Sequence, residues 1–225
     1  MPARQRNSTF ALALAAAVAL LGGCGGGGGD KSNAAKKSAP KCASAVKPKP
    51  RAVKRRQAPS FQLSPAKTYV ATVDTTCGTF KIALDSKRAP KTGGSFVSLA
   101  RKGFYNGLTF HRIVHGYIIQ GGDPTGSGSG AGGPGYSIRE RPPRDLVYSD
   151  GVVAMAKTGL EPAGTSGSQF FVVTAKDAEL APDFALLGRV TDGLDVVHTI
   201  ERVHTNEIDA PYDPILIRKI SISVS

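Results

Sequence analysis

From residue 67 to the C-terminus, apolar and polar residues trade places mostly with a period of two. "TYVATVDT" and "GTFKIAL" alternate on either side of Cys77-Gly78, the pattern of an antiparallel hairpin. The period then changes. In "GGSFVSLARKG" Phe96, Val97, Leu99 and Ala100 fall at helical spacing, with Thr92 placed to cap the start and Gly103 to stop the end. Strand-like runs resume at "LTFHRIV", "GYIIQ", "GVVAMA", "SQFFVVT" and "ALLGRV". A second short helix is expected over Gly193 to Thr199, before a last strand at "ILIRKISISV". Many short strands with only two helices predict a closed barrel rather than a sheet of alternating strands and helices.

The N-terminal third follows neither period. Phe10 to Leu21 is a twelve-residue apolar run behind Arg4 and Arg6, too short to span a bilayer comfortably and arranged like an export signal. Leu21-Gly22-Gly23-Cys24 resembles a bacterial lipobox, in which the cysteine is acylated and becomes the new N-terminus. Residues 1–23 are therefore expected to be a signal peptide and Cys24 a lipid anchor. Residues 24–66 read as a disordered tether rich in Gly, Pro and Lys, and residues 67–225 as the folded domain.

Charge supports this division. Residues 25–66 carry ten basic side chains against Asp30 alone, while residues 67–225 carry seventeen basic and sixteen acidic ones. The net charge of +12 thus belongs to the tail. The folded part has no electrostatic footprint for nucleic acid, and none is expected as a partner. The tail run "KPKPRAVKRR" suits either a solvated linker or contact with anionic lipid or wall polymers. Cys42 in the tail and Cys77 in the first hairpin stand either as a disulfide, which export permits, or as two free thiols.

Two apparent motifs do not carry their usual chemistry. Gly128, Gly130 and Gly133 spell a dinucleotide fingerprint, but no helix opens at Gly132-Gly133-Pro134-Gly135, so the stretch reads as an exposed loop beside a groove. His111 and His115 lie four apart in a strand-like run and do not share a helical face, so no metal site is expected.

"FHRIVHGYIIQGGDPTG", from Phe110 to Gly126, holds more than packing requires, since Arg112 and Gln120 flank a turn at Gly116. With "GTSGSQFFVVTA" and "GVVAMAKTG", this stretch resembles the hallmarks of the cyclophilins, the peptidyl-prolyl cis/trans isomerases. The similarity covers residues 67–225, and the "GGDPTG…GGPGY" loop is similar to bacterial members. It implies a mainly β fold, a closed eight-stranded antiparallel barrel capped by two helices. It also implies isomerisation of X-Pro bonds, with no cofactor and no metal, by a monomer acting on proline-containing peptides and unfolded exported proteins. A catalytically weak chaperone module using the same groove is the competing reading.

The chemistry suits these residues. Rotation about X-Pro must break amide resonance against a barrier of about 20 kcal/mol, and the twisted nitrogen regains a lone pair. A permanently charged planar guanidinium stabilises that state more than either planar isomer. By the resemblance Arg112 takes this role and Gln120 binds the substrate backbone. Tyr117, Ile118, Phe171 and Leu180 line the proline pocket and Phe184 closes it. The Ala156-Lys157 main chain pairs with the peptide, and His111 shapes the pocket. Phe170, alternating with Phe171, is expected to face the core. Tyr117, Ile118, Lys157 and Phe184 depart from the family's phenylalanine, methionine, asparagine and histidine. Glu179 stands where a tryptophan is expected, which puts cyclosporin sensitivity in doubt, and Ala181-Pro182 replaces a turn that usually contains glycine.

The lipobox makes a direct prediction. Cys24→Ser is expected to lose membrane association while keeping isomerase activity, read by fractionation and turnover on the same preparation. Equal retention of the variant in the membrane after a high-salt wash would rule the anchor out.

Overall fold

The computed structural model describes residues 41–126 and 132–225. The expected signal peptide, Cys24, the tether through residue 40, and Gly128 and Gly130 lie outside the described residues. Eight strands close into a barrel: β1 (Tyr69–Thr75), β2 (Gly78–Leu84), β3 (Leu108–Val114), β4 (Ile118–Gly121), β6 (Val152–Met155), β8 (Phe170–Val173), β9 (Leu186–Asp192) and β10 (Ile215–Val224). Their order around the barrel is β1-β10-β3-β4-β8-β6-β9-β2, and every pairing is antiparallel. A separate pair, β5 (Ile138–Arg139) with β7 (Thr165–Ser166), is too short for the alternation to reveal.

Strand alternation sorts the apolar side chains into two clusters. Val73, Phe80, Ile82, Phe110, Ile113, Ile119, Phe170 and Val172 fill the barrel, where Phe170 meets Phe96 and Phe110 edge-on at 5.8 and 5.9 Å. The helices α1 (Pro90–Arg101) and α2 (Leu194–Glu201) add Phe96, Val97 and Leu99, and Val196, Val197 and Ile200, to the same core. Their alternates Ile118, Phe171, Val173, Val152, Ala154 and Leu186 form a second cluster on the outer face.

Helix α1 starts differently from the expectation that Thr92 caps it. Pro90 occupies the first turn, Ala89 stands at the cap with no side-chain bond, and Thr92 is inside the helix. The exposed amides are instead met from 48 residues away: the Glu140 carboxylate accepts from Thr92 N–H at 2.7 Å and from Lys91 N–H at 3.1 Å. A carboxylate there also opposes the positive end of the helix dipole.

Over residues 41–66 the tail departs from the free tether expected for 24–66. Residues 41–66 have no regular secondary structure before the turn at Pro65, yet they lie along the barrel as a strap within its compact unit. A disulfide joins Cys42 to Cys77 across 35 residues, and Ala43 N–H donates to Thr76 O at 2.8 Å. Closing a loop of that length removes roughly 4 kcal/mol of unfolded-chain entropy in the simplest model. At the other end Leu63 is buried in the core cluster, with its N–H on Pro90 O at 3.0 Å.

The strap explains why α1 tolerates glycine. A Cβ on Gly94 would stand 2.1 Å from the Phe61 carbonyl oxygen, so only a bare backbone lets the strap lie down there. Helix propensity alone makes Gly94→Ala stabilising by about 1 kcal/mol. The contact with Phe61 reverses the sign: Gly94→Ala is expected to destabilise by roughly 1–3 kcal/mol. Thermal unfolding decides, and a higher Tm for the variant would contradict this packing.

Candidate active site

β3 carries a bulge. Phe110 pairs with Gly121 and Arg112 with Gln120, so His111 is an extra residue that faces no partner. Without it Phe110 and Arg112, two apart, would point to the same side. With it Phe110 and Ile113 both face the core, and Arg112 turns outward. The register then continues around the barrel: Arg112 opposite Gln120, Gln120 opposite Phe171, Phe171 opposite Ala154, and Ala154 opposite Leu186. One cross-strand row thus sets a guanidinium and an amide beside the outer apolar cluster.

Most of the predicted apolar residues meet in that cluster. Ile118 and Phe171 are buried in it, and Tyr117, Ala156, Leu180 and Phe184 pack half-buried against it. Phe184 stands edge-on to Phe171 at 5.4 Å. It is held by Tyr148, a residue that sequence reasoning missed. The phenol donates to Phe184 O at 2.6 Å and accepts from Phe184 N–H at 3.1 Å. Burial, offset partly by these bonds, pushes the Tyr148 hydroxyl up to about 12, so it stays a donor at neutral pH.

The polar members are also positioned. Gln120 Nε2 donates to Gln169 Oε1 at 3.0 Å, and Gln169 Nε2 donates to Gly132 O at 2.7 Å, which orients the Gln120 amide through a buried neighbour. Arg112 lies 3.4 Å from Asp209, both half-exposed. The Asp209 carbonyl accepts from Ile113 N–H at 2.7 Å, fixing that loop to β3. Asp209, which pairs with Arg112, and Glu179, next in sequence to Leu180 of the apolar cluster, are the non-glycine residues with positive φ among those described, at 61° and 51°. Gln120, Ala156, Lys157 and Gln169 line a groove of about 660 Å³ together with the loop 132–137. A cavity of about 490 Å³ on β2 and β9 contains none of the predicted residues.

The cyclophilin-type peptidyl-prolyl cis-trans isomerase family model matches residues 70–222. The chain belongs to this cyclophilin family. Peptidyl-prolyl cis-trans isomerase A of Mycobacterium tuberculosis is 39% identical over 178 residues, covering 71% of this chain and 95% of the relative. Peptidyl-prolyl cis-trans isomerase-like 1 of Homo sapiens is 40% identical over 153 residues, 65% of this chain and 88% of the relative. A crystal structure of a Cryptosporidium parvum cyclophilin-type isomerase, solved in the presence of the dipeptide Ala-Pro, superposes with a TM-score of 0.63 at 33% identity, covering 68% of this chain and 98% of its own. The protein is a peptidyl-prolyl cis-trans isomerase of the cyclophilin type.

Lys157, expected to offer its main chain, also places its side chain at the apolar cluster. Its side chain is 5% exposed, with the ammonium 2.6 Å from Asp183 and 5.4 Å from the Phe184 ring centre, so it lies across the edge of the apolar cluster. Glu179 is exposed, with its N–H on Asp177 Oδ1 at 2.9 Å. Among the described residues no cluster of His, Cys, Asp and Glu is arranged to hold a metal.

His111, on the bulge, is buried rather than exposed in the groove. Burial holds its ring below the ordinary value of 6.5; Arg112 adds to this, while Asp123 and the Thr109 backbone oppose it. The neutral ring is therefore the folded form. Stability from this residue is present above about pH 6.5 and is lost as pH falls toward the lowered value, because the unfolded chain takes up a proton that the folded one resists. Comparing His111→Gln with the parent by Tm from about pH 8 to about pH 5, the parent's advantage is expected to shrink on acidification. A difference independent of pH would contradict the neutral buried ring.

Proposed function

We propose that Arg112 and Gln120 are the catalytic pair of this isomerase, acting on X-Pro bonds of exported proteins while the chain is held at the cell surface by a lipid on Cys24. The observation that carries the first part is the cross-strand row, in which Arg112 and Gln120 share one face with Phe171 and the apolar cluster beside it. The proline ring of the substrate lies against Phe171, Ile118, Tyr117 and Leu180, with Phe184 at the edge. The peptide runs past the Ala156-Lys157 main chain into the groove. In that pose the Arg112 fork reaches the substrate carbonyl and the prolyl nitrogen as the amide twists, and its attraction rises with the lone pair that the twist restores. Gln120, oriented by Gln169, holds the substrate backbone. The solved cyclophilin with Ala-Pro supports proline peptides as the ligand class.

Export rests on the N-terminal signal pattern. The Cys42–Cys77 bridge supports it, because structural disulfides persist in oxidising compartments. Assistance to the folding of exported chains follows from combining that location with the reaction, since X-Pro isomerisation is slow enough to limit folding.

The test is the guanidinium. Arg112→Ala is expected to lower kcat/KM for a proline peptide by roughly 10²-fold, about 2.7 kcal/mol of transition-state stabilisation. Arg112→Lys is expected to recover little of it, because a point charge does not reproduce the planar fork. Parent-like turnover by Arg112→Ala, with folding intact by circular dichroism, would overturn the assignment.

A further inference from the structure

The strap does not merely cross the barrel; it reaches the groove. Arg51 N–H donates to Pro124 O at 2.8 Å and Arg56 N–H to Gly135 O at 3.3 Å, so this part of the strap is bonded to Pro124 and to the segment 132–137 that lines the groove. The Arg51 guanidinium holds the carbonyls of Phe104 and Asn106, and the Arg56 guanidinium lies 5.6 Å from the Phe104 ring centre. Loop and strap meet backbone to backbone at Gly135. Its φ is 84°, and a Cβ there would stand 1.9 Å from the Lys54 carbonyl oxygen. A free linker would require no such fit.

Between these attachments, Val53 lines the same groove of about 660 Å³ as Gln120, Lys157 and Gln169, together with Pro134 and Tyr136 of the loop. Val53 is 46% exposed, a large apolar side chain left open where it borders the groove. Val53, Pro134 and Tyr136 line the groove together, and Lys157 and Glu161 are the charged residues in the same lining. The loop also carries Gly132, whose carbonyl accepts from Gln169, the side chain that orients Gln120.

We propose that strap residues 51–57 are a wall of the peptide groove, and that Val53 selects an apolar substrate side chain flanking the X-Pro pair. The proposal rests on the isomerase reading above and adds a specificity determinant from outside the barrel. An apolar flanking residue gains by covering Val53 and Pro134, whereas a charged one gives up water against those two side chains.

The experiment uses the full chain and two peptides of equal length that differ only in carrying Leu or Lys beside the same Ala-Pro. The parent is expected to prefer the Leu peptide in kcat/KM, and Val53→Asp to shift that preference toward Lys by about fivefold or more. An unchanged preference, with Tm showing the variant folded, overturns the wall. Should the parent turn over neither peptide, the isomerase reading falls. The Kd of each peptide for parent and variant, by fluorescence anisotropy, then decides the wall by the same shift or its absence.

Discussion

The extra residue in β3 is the constraint from which the site follows. A barrel strand that alternates without interruption turns every second residue into the core, and Phe110 must be there to meet Phe170 and Phe80. Placing Arg112 on the same side would bury a guanidinium among aromatic rings, at a cost that no pairing in that interior repays. The bulge at His111 resolves this conflict by one change of parity, after which Ile113 packs inward and Arg112 faces out. Because the extra ring is buried on the bulge, it must be carried neutral, and burial lowers its proton affinity accordingly.

The outer face sets an apolar layer beside that arginine. Alternation in β4, β8 and β6 produces a second apolar layer outside the barrel, partly covered by Tyr148, Phe184 and Leu180 from the connecting segments. The layer is rigid where it matters, since Tyr148 pins Phe184 at both its amide and its carbonyl. Specific ties from Asp209 to Arg112 and from Gln169 to Gln120 fix the polar groups against it. A reaction that needs only positioning and a field, with no covalent intermediate, depends on such a prebuilt arrangement.

How much of this was legible in the sequence depended on the range of the interactions. Period-two alternation placed Phe170 inward and Phe171 outward, and the barrel strands follow from the same signal. The motifs around Arg112, Gln120 and Phe171 pointed to residues that the pairing register does bring together. What escaped was set by distant partners. Glu140 caps α1 from another loop, Tyr148 holds Phe184 across 36 residues, and Asp209 pairs with Arg112 from a segment with no periodicity. The strap escaped for a related reason. Its composition is that of a solvated linker, and the bare backbones at Gly94 and Gly135, with buried Leu63 and the Cys42–Cys77 bridge, show that the barrel is shaped to receive it.

The most direct measurement is a crystal structure of the chain with a bound Ala-Pro-containing peptide. The proline ring is expected against Phe171 and Ile118, the Arg112 guanidinium within hydrogen-bond reach of the substrate carbonyl, and the Gln120 amide on the peptide backbone. A proline ring seated elsewhere, with Arg112 still turned to Asp209 and touching no part of the peptide, would contradict this placement.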